Sequence, residues 1–316
     1  MISWLAVVNN ENVKDVINDL EKEYNKVNVQ RGKRFDYLGM IFEYYKEGYV
    51  TISMYDLVDE VVKDLNLQPT ARATTPASTN LYDINDKSEL LNPTMHATFH
   101  SVTMKCLYIA KRARPDILTA VGFLTTRVQK STLEDFKKLT RVGSYLNSTK
   151  NLVLKLHIKD KIKVEVYIDS SHGTYLDGKG QSGATLRVGH GSVSNMSSKQ
   201  KLVSKSSSET ELIGLSDYIS PAIGAKQFLE CQGYDVGPVK VYQDNKSTIL
   251  MASKGKPVSS RTRHIAIRYF FIKDRIKSGD IEISHVGTEE MLADFFTKPL
   301  QGSLFIKMRN AIMNIT

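Results

Sequence analysis

The sequence predicts an α/β fold, a mixed five-stranded sheet flanked by helices, and three observations carry that prediction. From residue 151 onward, short apolar runs alternate with helix-length amphipathic ones. Three strand-like runs precede the first long helix, which makes part of the sheet antiparallel and the rest parallel. Two of the strands also end on an aspartate, and sites in open α/β sheets lie at the carboxyl ends of strands.

The elements follow in order. "WLAVV" reads as a buried strand, and Val13, Val16, Ile17, Leu20 and Tyr24 then recur at helical spacing after the candidate caps Asn9 and Asn10. "YLGMIFEYYKEGYVTISM" reads as a hairpin around Lys46-Glu47-Gly48. Leu57, Val58, Val61, Val62 and Leu65 form one stripe of a helix over 54–65. Between about 68 and 92, "QPTARATTPASTN" has the composition of an extended linker. A helical block spans about 93–147, in which Pro115 opens a first turn, Arg114 is pushed off helix, and Ser131-Thr132 start a further helix. Strands are expected near 152–158, 164–169, 184–195, 239–243 and 281–286. Helices are expected near 207–232, 246–253, 264–277 and 289–297.

The bulk numbers narrow the function classes. Hydrophobic residues at 41% and charged residues at 24% suit a folded domain. The net charge of +9 favours polyanionic partners, although a basic surface also serves solubility. Cys106 and Cys231, the only two cysteines, offer neither a disulfide framework nor a zinc set, so a reducing, intracellular and cytoplasmic setting is expected. "MISWLAVV" is short and has no basic leader, and no run approaches membrane-spanning length; no membrane partner and no small-molecule cofactor are expected.

Chemistry is most legible in the carboxylates. In "VEVYIDSS", Val164, Val166 and Ile168 alternate with Glu165, Tyr167 and Asp169, so an apolar strand delivers Asp169 to its tip. "VKVYQDNKS" repeats this with Asp244. Each also has a structural use, Asp169 as a turn former and Asp244 as a helix cap. In "SSSETELIGL", phase separates two glutamates. Steps from Glu211 reach Leu215, Ile219 and Ala222, a sheet-facing stripe, whereas steps from Glu209 reach Ile213, Asp217 and Ser220. Glu211 is therefore aimed at the sheet, and Glu209 is a first-turn acid suited to the helix dipole. Asp294 lies among Met291, Leu292, Ala293, Phe295 and Phe296, a costly place for a carboxylate without a partner or a metal. An all-oxygen set points to magnesium, with manganese able to substitute, and two such ions suit phosphodiester hydrolysis. Ser170, Ser171 and His172 read as turn-forming neighbours.

"YIDSS", "SSSETELIGL", "YQDNKSTI", "RTRHIAIRYFFIKDRI" and "LADFFTKPL" resemble, in order, the ribonuclease H domain of copia-type LTR-retrotransposon polyproteins. Upstream, "YLGMIFEY", "RARPDILTAVGFL" and "RVGSYLNSTKNLVL" look like the region that joins reverse transcriptase palm to ribonuclease H. The resemblance implies a ribonuclease H-like sheet over 151–300 and a truncated palm and thumb remnant over 1–67. Between them it implies a linker and helical connection region over 68–150, and after them a helical tail over 301–316. It further implies a site of two magnesium ions on Asp169, Glu211, Asp244 and Asp294, hydrolysis of the RNA strand of RNA–DNA hybrids, and association with other retroelement proteins. His285 matches loosely a mobile histidine that assists product departure, and a structural strand-end histidine fits as well.

The polymerase part of that family carries an aspartate pair in a tight hairpin. This sequence has none, so no polymerase activity is expected and a truncated element copy is the simplest reading. Lys199, Lys201, Lys205, Arg261, Arg263 and Arg268 could track phosphates, which position a duplex without reading its sequence. The same residues could form a solvated basic face. His264 reads as a capping or packing residue. Two other functions stay open: a catalytically silent nucleic-acid-binding remnant and, fitting less well, a DNA-strand transferase of the same fold.

Overall fold

The computed structural model describes residues 10–27, 29, 31–159, 161–254 and 263–315, so the strand expected in "WLAVV" lies outside the described residues. Helix α1 (Asn10–Tyr24) precedes three antiparallel strands, β1 (Arg34–Tyr37), β2 (Met40–Tyr44) and β3 (Tyr49–Ser53). Leu38 and Gly39 both have positive φ, 50° and 74°, the two-residue turn whose twist matches the strands it joins. Helix α2 (Tyr55–Asp64) follows, then α3 (Pro93–Arg112), α4 (Leu118–Thr125) and α5 (Leu133–Ser148). Asn92 caps α3 by accepting from the Met95 amide, and Thr132 and Asp135 cap α5 reciprocally.

Arg114 leaves the helical region ahead of Pro115, as expected, and a short 3-10 turn spans Pro115–Ile117. Its guanidinium pairs with Asp116 at 2.7 Å where both side chains are at most 3% exposed, and Tyr145 Oη donates to Asp116 at 2.7 Å.

Residues 68–92 hold no regular element, yet they are not a free linker. Thr75, Pro76, Ala77 and Leu81 are buried. Polar side chains of α5 bind the segment's backbone: Arg141 Nε donates to the Thr75 carbonyl at 3.1 Å and Ser148 Oγ to the Ala73 carbonyl at 2.9 Å. Small residues let the chain lie flat there, and backbone carbonyls left unpaired by any ladder need such donors.

The strand expected at 152–158 is β4 (Leu154–His157), but it pairs with β3 and completes the order β1-β2-β3-β4 rather than opening the second sheet. The single strand expected at 184–195 is two. Gly189 and Gly191, with φ of 88° and 84°, turn β6 (Gln181–Val188) back as β7 (Ser192–Lys199). With β5 (Val164–Ser171), β8 (Val239–Gln243) and β9 (Ile281–His285) they form the five-stranded sheet β7-β6-β5-β8-β9. The β5–β6 and β6–β7 pairs are antiparallel, and β5–β8 and β8–β9 are parallel. The expected mixed sheet of ribonuclease H type therefore holds, with different residues as its third antiparallel strand.

Helices α6 (Ser207–Cys231), α7 (Lys246–Lys254) and α8 (Arg263–Lys277) accompany this sheet. The helix expected near 289–297 is instead a 3-10 turn, Thr288–Glu290, and a four-residue helix α9 (Asp294–Thr297). Asp294 begins α9 rather than sitting inside a longer helix. Finally, α10 (Gly302–Met313) buries Phe305, Met308, Ile312 and Met313.

Two hydrophobic cores result. On one face of the second sheet, Val164, Val166, Ile168, Ala184 and Val241 pack against Leu215, Ile219 and Ala222 of α6. The other core joins α2 to α5 with Leu154, Tyr175, Phe295, Phe296 and the buried face of α10. Among the described residues, no helix is long and apolar enough to cross a membrane.

Candidate active site

Because β5 and β8 run parallel, their carboxyl ends fall on one edge of the sheet, and Asp169 and Asp244 arrive there together. Side-chain alternation sends Val164, Val166 and Ile168 toward α6 and leaves Asp169 on the opposite face. Asp169 is paired in register with Gly183 of β6. A methyl group on Gly183 would stand 2.8 Å from Phe296 Cβ and 2.9 Å from the Ala293 carbonyl, so bare backbone is what lets α9 lie on this face. Thr297 Oγ1 donates to Asp169 Oδ2, and Asp294 comes in beside it. Carboxylate oxygens of Asp169, Asp244 and Asp294 lie within 4.8 Å of one another.

Glu211 approaches from α6, buried. It accepts from Gln243 Nε2 at 3.2 Å and from the Ser170 amide. With Asp169, Ser170, Ser171, His172, Ser207, Asp244, Asn245 and Lys298 it lines a cleft of about 410 Å³. Glu209, half-buried at the start of α6, accepts from the Lys205 amide at 2.6 Å instead.

The electrostatics are those of crowded acids. Burial first, then Asp169 and Asp244, push the Glu211 carboxyl up to about 9. Burial and Asp169 push Asp294 up to about 7, and the same two causes raise Asp244. Lys298 answers them, its Nζ 2.8 Å from Asp294 Oδ2. Burial works against the Lys298 ammonium, but Asp169, Asp294 and Asp244 prevail and raise it.

The group tests well as a holder of hard divalent cations. Its donors are all oxygen, their mutual repulsion is what such a cation removes, and among the described residues the buried Asp294 Oδ1 has no hydrogen-bond partner.

The other candidates are dispersed. His285 is exposed at the end of β9, outside the cleft lining but near enough to act electrostatically on Asp244. Lys199 pairs with Asp177 at 2.8 Å and lies over the Tyr175 ring, and Arg268 pairs with Asp217. Lys201 and Lys205 are exposed. Arg261 lies outside the described residues, as do the side chains of Arg263 and His264, which lie in α8.

Sequence reasoning passed over Thr297, Lys298, Gln243 and His172. Lys298 carried a usable signal, since four residues on a helix bring it to the same side as Asp294. Gln243 adjoins Asp244 on its strand. His172, read as a turn former, lines the cleft from the β5–β6 connection. Gly183 gave no signal, because its role depends on a register between strands.

No protein-family model matches the sequence. A retrovirus-related Pol polyprotein from transposon RE1 of Arabidopsis thaliana is 31% identical over 236 residues, 73% of this chain and 16% of that protein. A Gag-Pol polyprotein of transposon Ty1-MR1 from Saccharomyces cerevisiae is 22% identical over 314 residues, 94% of this chain and 18% of its own length. The chain thus spans less than a fifth of the relatives it matches. Among solved structures, an N-terminal ribonuclease H domain from Mycobacterium tuberculosis is 12% identical and covers 43% of this chain and 91% of its own, with a TM-score of 0.32. The transposon resemblance read from the motifs is met by these sequence relatives.

Proposed function

From this chain's homology to retrovirus-related transposon Pol polyproteins, and from its carboxylate cluster, we propose that it is a divalent-metal-dependent ribonuclease acting on the RNA strand of RNA–DNA hybrids. The observation that carries the reading is the convergence of carboxylate oxygens of Asp169, Asp244 and Asp294 within 4.8 Å of one another, with the buried Asp294 Oδ1 lacking a hydrogen-bond partner among the described residues. Asp169, Asp244, Asp294 and Glu211 would hold two magnesium ions, with manganese able to substitute. Bound there, the metal supplies an activated water and offsets charge on the departing oxygen, as general two-metal chemistry does.

The chain's own residues supply the rest. Thr297 holds Asp169 in orientation through its hydroxyl, and Gln243 does the same for Glu211. Gln243 Oε1 also accepts the Asp244 amide at 2.9 Å, which ties the strand tip to the helix glutamate. Lys298 offers a cation at the cleft wall for a phosphate oxygen. The shallow polar cleft at a sheet edge suits a backbone presented by shape, with the RNA strand distinguished by its 2′-hydroxyls. The products are a 3′ hydroxyl and a 5′ phosphate. Association with other retroelement proteins belongs to the same proposal.

The test is cleavage of a labelled RNA–DNA hybrid by the purified chain in magnesium, beside Asp169→Asn and Asp244→Asn. Cleavage by the parent and loss in both variants is expected. A folded parent that binds the hybrid without cutting it would leave a binding remnant as the function. Equal cutting by the variants would remove the site assignment.

A further inference from the structure

We propose that Thr119 and Tyr82 are positioning residues: from outside the five-stranded sheet they hold the carbonyl end of α9 and so place Asp294 for metal. The inference rests on the metal-dependent reading of the cleft and deepens it, because it makes the region before that sheet part of the site.

Helix α9 has four residues and cannot set its own geometry. A helix's last carbonyls have no partner within it, and a single turn is too short to be stable alone. The chain just beyond supplies little. The Lys298 amide donates to the Asp294 carbonyl at 2.9 Å, Pro299 has no N–H, and the Leu300 amide donates to the Lys298 carbonyl. Side chains take the carbonyls of Phe295, Phe296 and Thr297 instead. Thr119 Oγ1 of α4 donates to the Phe295 carbonyl at 2.6 Å. Ser197 Oγ of β7 donates to that of Phe296 at 2.7 Å, and Tyr82 Oη, in the segment before α3, to that of Thr297 at 3.0 Å. Three donors from three elements fix the place and tilt of the turn, and two of the three lie outside the second sheet. Both of these are held in turn. Thr119 is buried, and the Tyr82 ring meets Phe123 and Tyr175 edge-on, with centroids 5.7 Å and 5.5 Å away.

Asp294 depends on this hold more than its neighbours do. Gln243 donates to Glu211, and Thr297 donates to Asp169. Asp294 Oδ2 meets the ammonium of Lys298, a long and partly exposed side chain, and Oδ1 has no hydrogen-bond partner among the described residues. Its place in the cluster is therefore set by the backbone of α9. Thr297, at the other end of the same turn, passes the hold on to Asp169.

The experiment titrates magnesium alone into the full chain by calorimetry, under conditions where the variants are folded, with urea unfolding alongside. Thr119→Val removes the hydroxyl at nearly constant volume, and Tyr82→Phe keeps the ring. Each should lower magnesium affinity about tenfold, the low end for groups that stand behind a metal ligand. Thr119→Ser keeps the hydroxyl and should bind as the parent does. Should Thr119→Val fold poorly, the half-buried Tyr82→Phe carries the test. Tyr145→Phe is the control. It also loses a buried hydroxyl, one that donates to Asp116 and not to α9, and it should weaken the fold with magnesium affinity unchanged. Thr119→Val and Tyr82→Phe proteins that unfold more easily yet bind magnesium like the parent would overturn the positioning role. An equal loss of affinity in Tyr145→Phe would overturn it too, since the effect would then be a general loosening. A folded parent that binds no magnesium would overturn the metal reading of the cleft as well.

Discussion

Replacing Gly183 by alanine should damage the site without touching any of its polar groups. The added methyl would stand 2.8 Å from Phe296 Cβ, 2.8 Å from Thr297 Cγ2 and 2.9 Å from the Ala293 carbonyl. Ordinary contact is about 3.5–4.0 Å, so α9 must retreat by roughly 0.7–1.2 Å. Phe296 Cβ and the Ala293 carbonyl are fixed by the backbone, and turning the Thr297 methyl away would give up its hydroxyl bond to Asp169, so the strain has no cheap outlet, and overpacking of this kind costs about 1–3 kcal/mol. Asp294 moves with α9, beyond the roughly 0.5 Å to which a working site must be held, and magnesium affinity should fall about tenfold or more. Urea unfolding and magnesium titration calorimetry measure the two effects. Gly224→Ala is the control. It is the same chemical change on an exposed position of α6 with nothing within 4 Å, and it should stabilise by about 0.8–1.0 kcal/mol. A Gly183→Ala protein as stable as its parent, with unchanged magnesium affinity, would refute the argument that bare backbone at β6 seats α9.

Asp294→Asn should stabilise the metal-free chain while abolishing its response to magnesium. The Asp294 carboxyl rises from 3.8 to about 7 and Glu211 from 4.5 to about 9, so the folded chain binds both protons more tightly than the unfolded one. Their contribution to stability is full below the unfolded values and is lost as pH climbs through the folded ones, so the gap between Asp294→Asn and parent should widen from pH 3.8 to about 7. Thermal melts across that range check it, and a gap that narrows would contradict the burial argument. Glu211→Gln should abolish cleavage, whereas Glu209→Gln should keep it, retain the oxygen that accepts the Lys205 amide, and weaken the start of α6 by about 0.3–1 kcal/mol in urea unfolding through the lost charge. Asp116→Ala leaves the Arg114 guanidinium buried without its partner and should cost about 3–5 kcal/mol by the same measurement.

What the sequence could reveal depended on how local the cause was. Alternation in Val164–Asp169 and the helical phase of Glu211 are set within a few residues, and both stand in the structure where pattern reasoning put them. The Arg114–Pro115 break and the Thr132 cap are equally local. β4 looked like a strand and is one, but its partner lies about a hundred residues upstream, and period-two alternation carries no address. Gly189 and Gly191 marked a turn that a polar run of serines masked, because β7 is flanked by hydroxyl contacts rather than apolar ones. His172 escaped for another reason: its partners, Ser204 and Thr210, come from a different element and meet it only in three dimensions.

The strap around α5 and the return of α10 have a consequence for how the chain is made. Gln301 Nε2 donates to the Ala77 carbonyl across 224 residues of sequence, and Tyr82 Oη to the Thr297 carbonyl across 215. A chain leaving the ribosome would therefore hold α2 to α5 with an open groove until Phe305, Met308 and Ile312 emerge to fill it. That order leaves apolar surface exposed until residues 305–312 are made, and it makes α10 the closing piece of a core whose other helices precede it in the chain. It also ties the carboxylate of α9 to a bridge fixed at both ends, so the cleft would take its final shape only as translation of these residues is completed.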